Sequence, residues 1–414
     1  MTLDASQRGK PDLVLANGSV LDPGAGIAGN LDVAVRGGRI TEVAPGLGQK
    51  YPDRVLDVAG SHVFPGLVDI HTHCFWGGTY FGIRPDPVAG STGVTTWVDA
   101  GSAGAWNLAA FRALAESSKT RIRAYVNVSA VGLVARTGEL DNLEYVNEDD
   151  LLAIVDAHRD FIVGIKVRMG HPKHGILPLE RAIAAGEKTG LPVMVHIRNG
   201  PPDIRAILAI LRSGDVLTHC FTGADMALVA NDLWIAEAHA ARRRGVLFDV
   251  AHGGASFGWK SAEAGFAAGF EPDMISSDLH QLNYFPPNVD LAETMSKMLH
   301  LGMALPDIVR AVTQTPAKAI RMQDEVGTLR PGVVADLAVF RIEEGEFTMT
   351  DTHGESRTTR RKLQHILTIA NGQPLPREIP DRPSPYLNIK DPSIKGAQGL
   401  VNAHRHGLYT HGCC

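Results

Sequence analysis

The chain reads as an α/β protein: a (β/α)8 TIM barrel beside a small β-sandwich formed from both termini. Two observations lead there. Eight apolar, strand-like runs recur between residues 64 and 324, separated by helix-sized stretches. The flanking segments, 12–63 and 325–372, share a different style of short β-rich runs and turns. A length of 414 residues is too great for one ordinary domain and small for three, so two folding units are expected.

The elements follow in order. In the first flank, DLVLANGSVLDP and LDVAVRGGRITEVAPG carry Asn17-Gly18 and Gly37-Gly38, both two-residue hairpin signals. The eight barrel runs are GLVDI (66–70), GVTTWVDA (93–100), RIRAYVNVS (121–129), FIVGIKV (161–167), LPVMVHI (191–197), DVLTHC (215–220), GVLFDVA (245–251) and DMISSD (273–278). Helical candidates such as AAFRALAES and LERAIAAGEKTG lie between them, the latter stopping at Gly190 ahead of Pro192. From residue 325, VGTLRPGVVADLAVFRI and HILTIANGQPL return to the first style. The tail, 373–414, is proline-rich and then carries His404, His406, His411 and a terminal Cys413-Cys414. It has too little apolar content to fold alone, and is expected to lie over the body or over a neighbouring subunit of a homo-oligomer.

Composition narrows the function. A 44% hydrophobic, 21% charged chain is that of an ordinary globular protein with a large core. The net charge of −5 leaves no basic excess to neutralise phosphates, which argues against a nucleic-acid partner. MTLDASQRGK lacks the apolar centre of a signal peptide, and no 18-residue uncharged apolar run follows, so a cytoplasmic protein with no membrane partner is expected. Four cysteines without a C-x-x-C pair exclude a disulfide scaffold and a thiolate zinc site. Seventeen histidines stand against those four cysteines.

Position gives the histidines meaning. Barrel enzymes carry reactive groups where strands end, because the βα loops form one mouth. The first run ends in Asp69-Ile70-His71-Thr72-His73, and strand alternation turns His71 and His73 to one side. Lys166 closes the fourth run, His196 the fifth, His219 the sixth and Asp278 the eighth. Each alone has an ordinary explanation, a rim histidine or a helix-capping aspartate. Together, in one mouth, they suit divalent transition metals such as zinc. Lys166, in an apolar run, must be neutralised or paired. A Schiff-base lysine is one solution; carboxylation by carbon dioxide, giving a bridge between two ions about 3.5–4 Å apart, is the other, and four nearby histidines favour it.

VFPGLVDIHTH, the strand-end lysine, two later histidines and the final aspartate resemble the amidohydrolase superfamily of binuclear metallohydrolases. GRITEVAPG and GTLRPGVVADLAVF resemble its β-sandwich, while GIKVRMG, VMVHIRNG, VLTHCFTG, FDVAHGGASFGWK and SSDLH resemble its deacetylase subgroup near dihydroorotases and D-aminoacylases. The resemblance covers residues 12–372. It implies that His71, His73 and Asp278 serve one metal, His196 and His219 a second, and N6-carboxylated Lys166 bridges two Zn2+. It also implies hydrolysis by metal-bound hydroxide, with Asp278 as the catalytic proton carrier. Two departures bear on substrate. The arginine that dihydroorotases place shortly after the paired histidines is missing from His73-Cys74-Phe75, and D-aminoacylases carry a cysteine where Lys166 stands. The expected activity is therefore removal of an acyl group, acetyl first, from a small N-acyl or O-acyl acid; a cyclic amidase of dihydroorotase or hydantoinase type is the alternative.

Same-side spacing adds substrate-contact candidates: Arg168 beyond Lys166, His280 beyond Asp278, His252 at the head of a His-Gly-Gly turn, and, more weakly, Arg198. Cys74 and Cys220 should be buried thiols. The loop 169–175, with His171 and His174, is read either as a lid or as solvated, and FWGGTYFG (75–82) either as a pocket wall or as plain loop packing.

Overall fold

The computed structural model describes residues 9–80, 82–134, 138–231, 233–281, 283 and 290–378. Its centre is a parallel sheet of seven strands: β1 (Leu67–Thr72), β2 (Val94–Ala100), β3 (Arg121–Asn127), β4 (Ile162–Arg168), β5 (Val193–His196), β6 (Val216–Thr218) and β7 (Leu247–Asp249), neighbours in that order. Runs buried on both faces, such as the wholly buried VTTWVDA of β2, are what a parallel sheet under helices requires.

The eighth run departs from expectation. No continuous strand forms over 273–278; single parallel bridges join Met274 to Asp249 and Leu279 to Thr72. Backbone bonds still close the barrel, Val250 N–H donating to Met274 and Asp278 N–H to His71 at 2.8 Å. Regularity is lost because the run is small and polar. Ser276 Oγ donates to Asp249 and Ser277 Oγ to Asp69, while Asp278 takes a left-handed φ of 49°.

Val68, Ile70, Val98, Ala100, Tyr125, Met194, Val216 and Met274 form one apolar cluster, with Ala317 and Ile320 against it. The helices pack on the outer face; Leu177–Thr189, for instance, ends at Gly190 with φ 71°, as its sequence predicts.

The terminal segments form two further sheets. One has four strands, in the order Arg39–Ala44, Asp32–Arg36, Leu13–Ala16, Val55–Asp57. The other has six: Gln373–Pro374, Ser356–Ala370, Leu337–Thr350, His62–Pro65, Ser19–Asp22 and Ile27–Asn30. Leu15, Val33, Val35, Val63, Leu337, Val339 and Ile369 fill the space between. Gly37-Gly38 makes the expected hairpin, with φ of 58° and 72°. Asn17-Gly18 does not: the strands on either side of it belong to different sheets. Its polar groups are drawn elsewhere, Asn17 N–H to Asp32 and its side chain to Asp57, so the turn carries the chain across the sandwich.

The pair Leu337–Thr350 and Ser356–Ala370 is far longer than its apolar portion predicts. Only its base joins the sandwich, at Leu337–Phe340; the charged remainder extends as a hairpin that docks on the loop after β7. The tail from residue 379, with His404, His406, His411 and Cys413-Cys414, lies outside the described residues.

Candidate metal centre

Burial comes first. His71, His73, Lys166, His196, His219 and Asp278 are each no more than 5% exposed, and they converge at one end of the barrel. His71 lies within β1 and His73 just beyond it; Lys166 lies in β4, His196 ends β5, and His219 follows β6. Three backbones here take left-handed conformations at non-glycine residues: His219 (φ 66°), Ala251 (φ 39°) and Asp278 (φ 49°). Such conformations cost about 1–3 kcal/mol each and persist where the surroundings enforce them.

Hydrogen bonds set which nitrogen of each ring faces inward. Thr218 Oγ1 donates its proton to Asp249 Oδ2 at 2.8 Å, so at 2.7 Å it can only accept from His71 Nδ1–H. That leaves the lone pair of His71 Nε2 toward the cavity, 3.3 Å from Asp278 Oδ1. His73 holds Ser102 Oγ with Nδ1 at 2.9 Å and brings Nε2 to 3.2 Å from the same carboxylate oxygen. His219 Nδ1 donates to the Ala251 carbonyl at 2.7 Å, so its Nε2 is the acceptor facing His196 Nδ1 at 2.8 Å. Partners on the outward nitrogen that fix the tautomer are typical of ligating histidines.

Electrostatics agree. Burial, aided by the Lys166 charge, holds His71 well below the ordinary histidine range, and burial lowers His73 to about 3 and His219 to about 4. His196 is likewise held down by burial and by His219. These are neutral imidazoles, the form that binds a metal. Burial also lowers Lys166 to about 7; its Nζ lies 3.2 Å from His71 Nε2 and 3.4 Å from Met194 Sδ. Donor atoms of His71, His219 and Asp278 lie within 4.8 Å of one another, a spacing suited to a metal ion. Three lone-pair imidazole nitrogens beside the Asp278 carboxylate fit a divalent ion well.

Arg168 and His280 join five of the six in lining one small cavity. Arg168 Nη1 lies 3.6 Å from Glu139 Oε2, and the His280 ring is 6.2 Å from that of His73. His252 is a correction. It is fully buried with its ring turned away from the cavity, Nε2 meeting Lys297 Nζ at 2.7 Å and Nδ1 the Gly253 carbonyl at 2.9 Å. The weaker candidate Arg198 is absent from the cavity wall too. His171 stacks on His174 at 4.4 Å and holds Asp141, and Phe75 packs on Phe111 at 4.9 Å. Cys74 and Cys220 are the buried thiols expected.

Sequence reasoning missed three carboxylates beneath the site. Asp69 accepts from Ser277, Asp99 from the backbone of Cys74 and Ser102, and Asp249 from Thr218 and Ser276. The signal was present: each is an aspartate inside an apolar strand run. Burial raises Asp69 to about 7 and Asp249 to about 6.

Residues 62–372 match the model of the amidohydrolase family. This chain belongs to the amidohydrolase family. Among relatives of this amidohydrolase, a deacetylase from Enterococcus faecalis is 36% identical over 369 residues, 87% of this chain and 98% of the relative. A deacetylase from Agrobacterium fabrum is 37% identical, over 80% of this chain and 84% of its own. Among solved structures, that of a dihydroorotase superposes with a TM-score of 0.81 at 34% identity, covering 90% of this chain and 99% of the other. That of an adenine deaminase gives 0.80 at 34% identity, over 88% and 99%. A D-hydantoinase, at 18% identity and a TM-score of 0.64, shares the fold. The family is one of metal-dependent hydrolases acting on small molecules. No helix among the described residues is long and apolar enough to cross a membrane.

Proposed function

We propose that this amidohydrolase is a deacetylase, removing an acyl group, acetyl first, from a small N-acyl or O-acyl acid. The observation that carries the reading is the convergence of four neutral imidazoles on Lys166 and Asp278 in one buried pocket. Relatives named deacetylase support the reaction type. His71, His73 and Asp278 would hold one ion, His196 and His219 another, with zinc the first choice. Lys166, its amine lowered to about 7 by burial, is partly neutral near pH 7 and so able to add carbon dioxide. The resulting carboxylate would help hold the two ions. When bound, the two ions would supply Lewis-acid activation of water and of the acyl carbonyl.

The chain's own groups do the rest. Asp278 takes a proton from the attacking water and delivers it to the leaving nitrogen or oxygen. Arg168, steadied by Glu139, offers two parallel N–H donors to a substrate carboxylate at the mouth. His280 lines the wall beside His73. A homo-oligomer in the cytoplasm belongs to the same proposal, and light scattering on the purified protein tests the assembly.

The experiment is a panel of N-acetyl and O-acetyl acids presented to zinc-loaded enzyme, with acetate release measured. Turnover of at least one, lost in Arg168→Met, is the expected result. Silence across the acetyl panel with hydrolysis of a cyclic amide would overturn the deacetylase reading in favour of a cyclic amidase. Release of ammonia from adenine would overturn it differently.

A further inference from the structure

The helix Leu291–His300 carries a lysine that the chemistry above does not use. Lys297 is fully buried, an expensive place for an ammonium group unless it is engaged. Its Nζ donates to His252 Nε2 at 2.7 Å and to the Thr350 carbonyl at 2.7 Å, and lies 3.3 Å from Glu293 Oε1. The rings of Phe257 and Trp259 flank it at 5.3 and 5.9 Å. Because Lys297 donates to Nε2, His252 carries its proton on Nδ1 and donates it to the Gly253 carbonyl. The imidazole, stacked 4.7 Å from Phe257, is thereby fixed in tautomer and orientation.

The turn that His252 anchors touches the metal centre at two points. Ala251 contributes the carbonyl that holds His219 Nδ1. Gly253 stands so close to Asp278 that an added Cβ would lie 2.4 Å from Oδ2. Backbone bonds from His252 to Ser276 and from Gly253 to Ser277 lock the same turn to the run ending in Asp278. On the far side, Thr350 begins the tip of the long hairpin, where Thr352 bonds Phe257 and Asp351 accepts from Trp259 N–H.

We propose that Lys297 is a positioning residue of the metal centre, clamping the 251–253 turn between the hairpin at Thr350 and the residues His219 and Asp278. The inference rests on the ligand roles proposed above, but metal affinity tests it whether or not the acetyl substrates prove correct.

The test compares Lys297→Met and Lys297→Gln with the wild type. Zinc affinity is read by chelator competition, thermal midpoint by calorimetry, and kcat and KM on whichever substrate the panel yields. Outer-shell partners of metal ligands are worth about 10–100-fold in affinity or activity. The methionine variant should lose zinc affinity about 10-fold or more and lose kcat with KM within about twofold. Glutamine, which can still donate to His252, should recover most of both. An unchanged affinity in Lys297→Met, or equal losses in the two variants that merely follow the thermal midpoint, would overturn the proposal. If neither variant folds, His252→Phe keeps the ring stack and removes both nitrogens; the same affinity loss is then expected, and wild-type affinity would overturn the idea. Absence of acetyl turnover in the wild type, with the affinity pattern intact, would count against the deacetylase reading alone.

Discussion

At the residue scale, the site turns on two groups, Asp278 and the buried Lys166. Asp278 is placed to carry a proton, so Asp278→Asn should keep most bound metal and lose about 10²–10⁴-fold in turnover; metal analysis beside acetate release measures both, and retained turnover would remove Asp278 from the role. Burial lowers the folded Lys166 to about 7 from an ordinary 10.5. Between those values the unfolded chain binds a proton that the folded chain does not, so stability must rise with pH, by up to about 1.4 kcal/mol per pH unit. Metal-free, carbon-dioxide-free protein should therefore gain stability over Lys166→Met between pH 7.5 and 9.5 in urea melts. Parallel behaviour of the two would show that Lys166 keeps its charge on folding.

At the scale of elements, the strand ends were legible and the connections less so. The placement of His71, His73, Lys166, His196, His219 and Asp278 at one end of the barrel was legible because strand-end position follows directly from local sequence. His252 misled because a histidine before two glycines looks like a mouth residue, and only the packed helix shows that Lys297 claims its outward nitrogen. Lys297 itself was invisible: a lysine in an amphipathic helix reads as solvated until a distant hairpin covers it. The eighth run was assigned correctly in place but not in regularity, since the aspartates that pull on Ser276 and Ser277 arrive from β1 and β7. The close approach of Gly101, just beyond β2, to Lys166 in β4 gives a further test. Gly101, at φ 83°, leaves its Cα so near Lys166 that an added Cβ would sit 2.5 Å from the lysine Cβ. Gly101→Ala should cost several kcal/mol by adding overlap to backbone strain and should displace Lys166. Gly214→Ala, at φ 87° with open space around it, should show only the backbone part. Urea midpoints of the two variants compare them.

At the scale of the whole molecule, the sandwich and barrel meet through more than the chain that links them. Arg121 in β3 pairs with Asp336 beside the sandwich, and the long hairpin reaches the loop after β7. The hairpin's reach was not readable because its distal residues are charged and find their partners only in the assembled fold, Arg357 on Glu263 and Lys260 on Glu355. Metal binding should be felt through this whole body. Ligand at 100 times its Kd adds about 2.7 kcal/mol to stability, so chelation should lower a cooperative melting midpoint by several degrees, and re-addition of zinc should restore it. A midpoint indifferent to chelation would show that the donors do not hold an ion in solution.

The broken eighth run has one more implication. His71 stands on one bank of the barrel's closing gap and Asp278 on the other, the banks being joined without an ion by two backbone bonds, Asp278 N–H to His71 and His73 N–H to Leu279, and by the Asp69–Ser277 stitch. An ion gripping both, as proposed, would act as a buckle, fastening the cylinder where the run 273–278 forms no continuous strand. Deuterium uptake by the amides of 274–279 should therefore slow on zinc loading more than uptake in β3 or β4, where the weave needs no fastening.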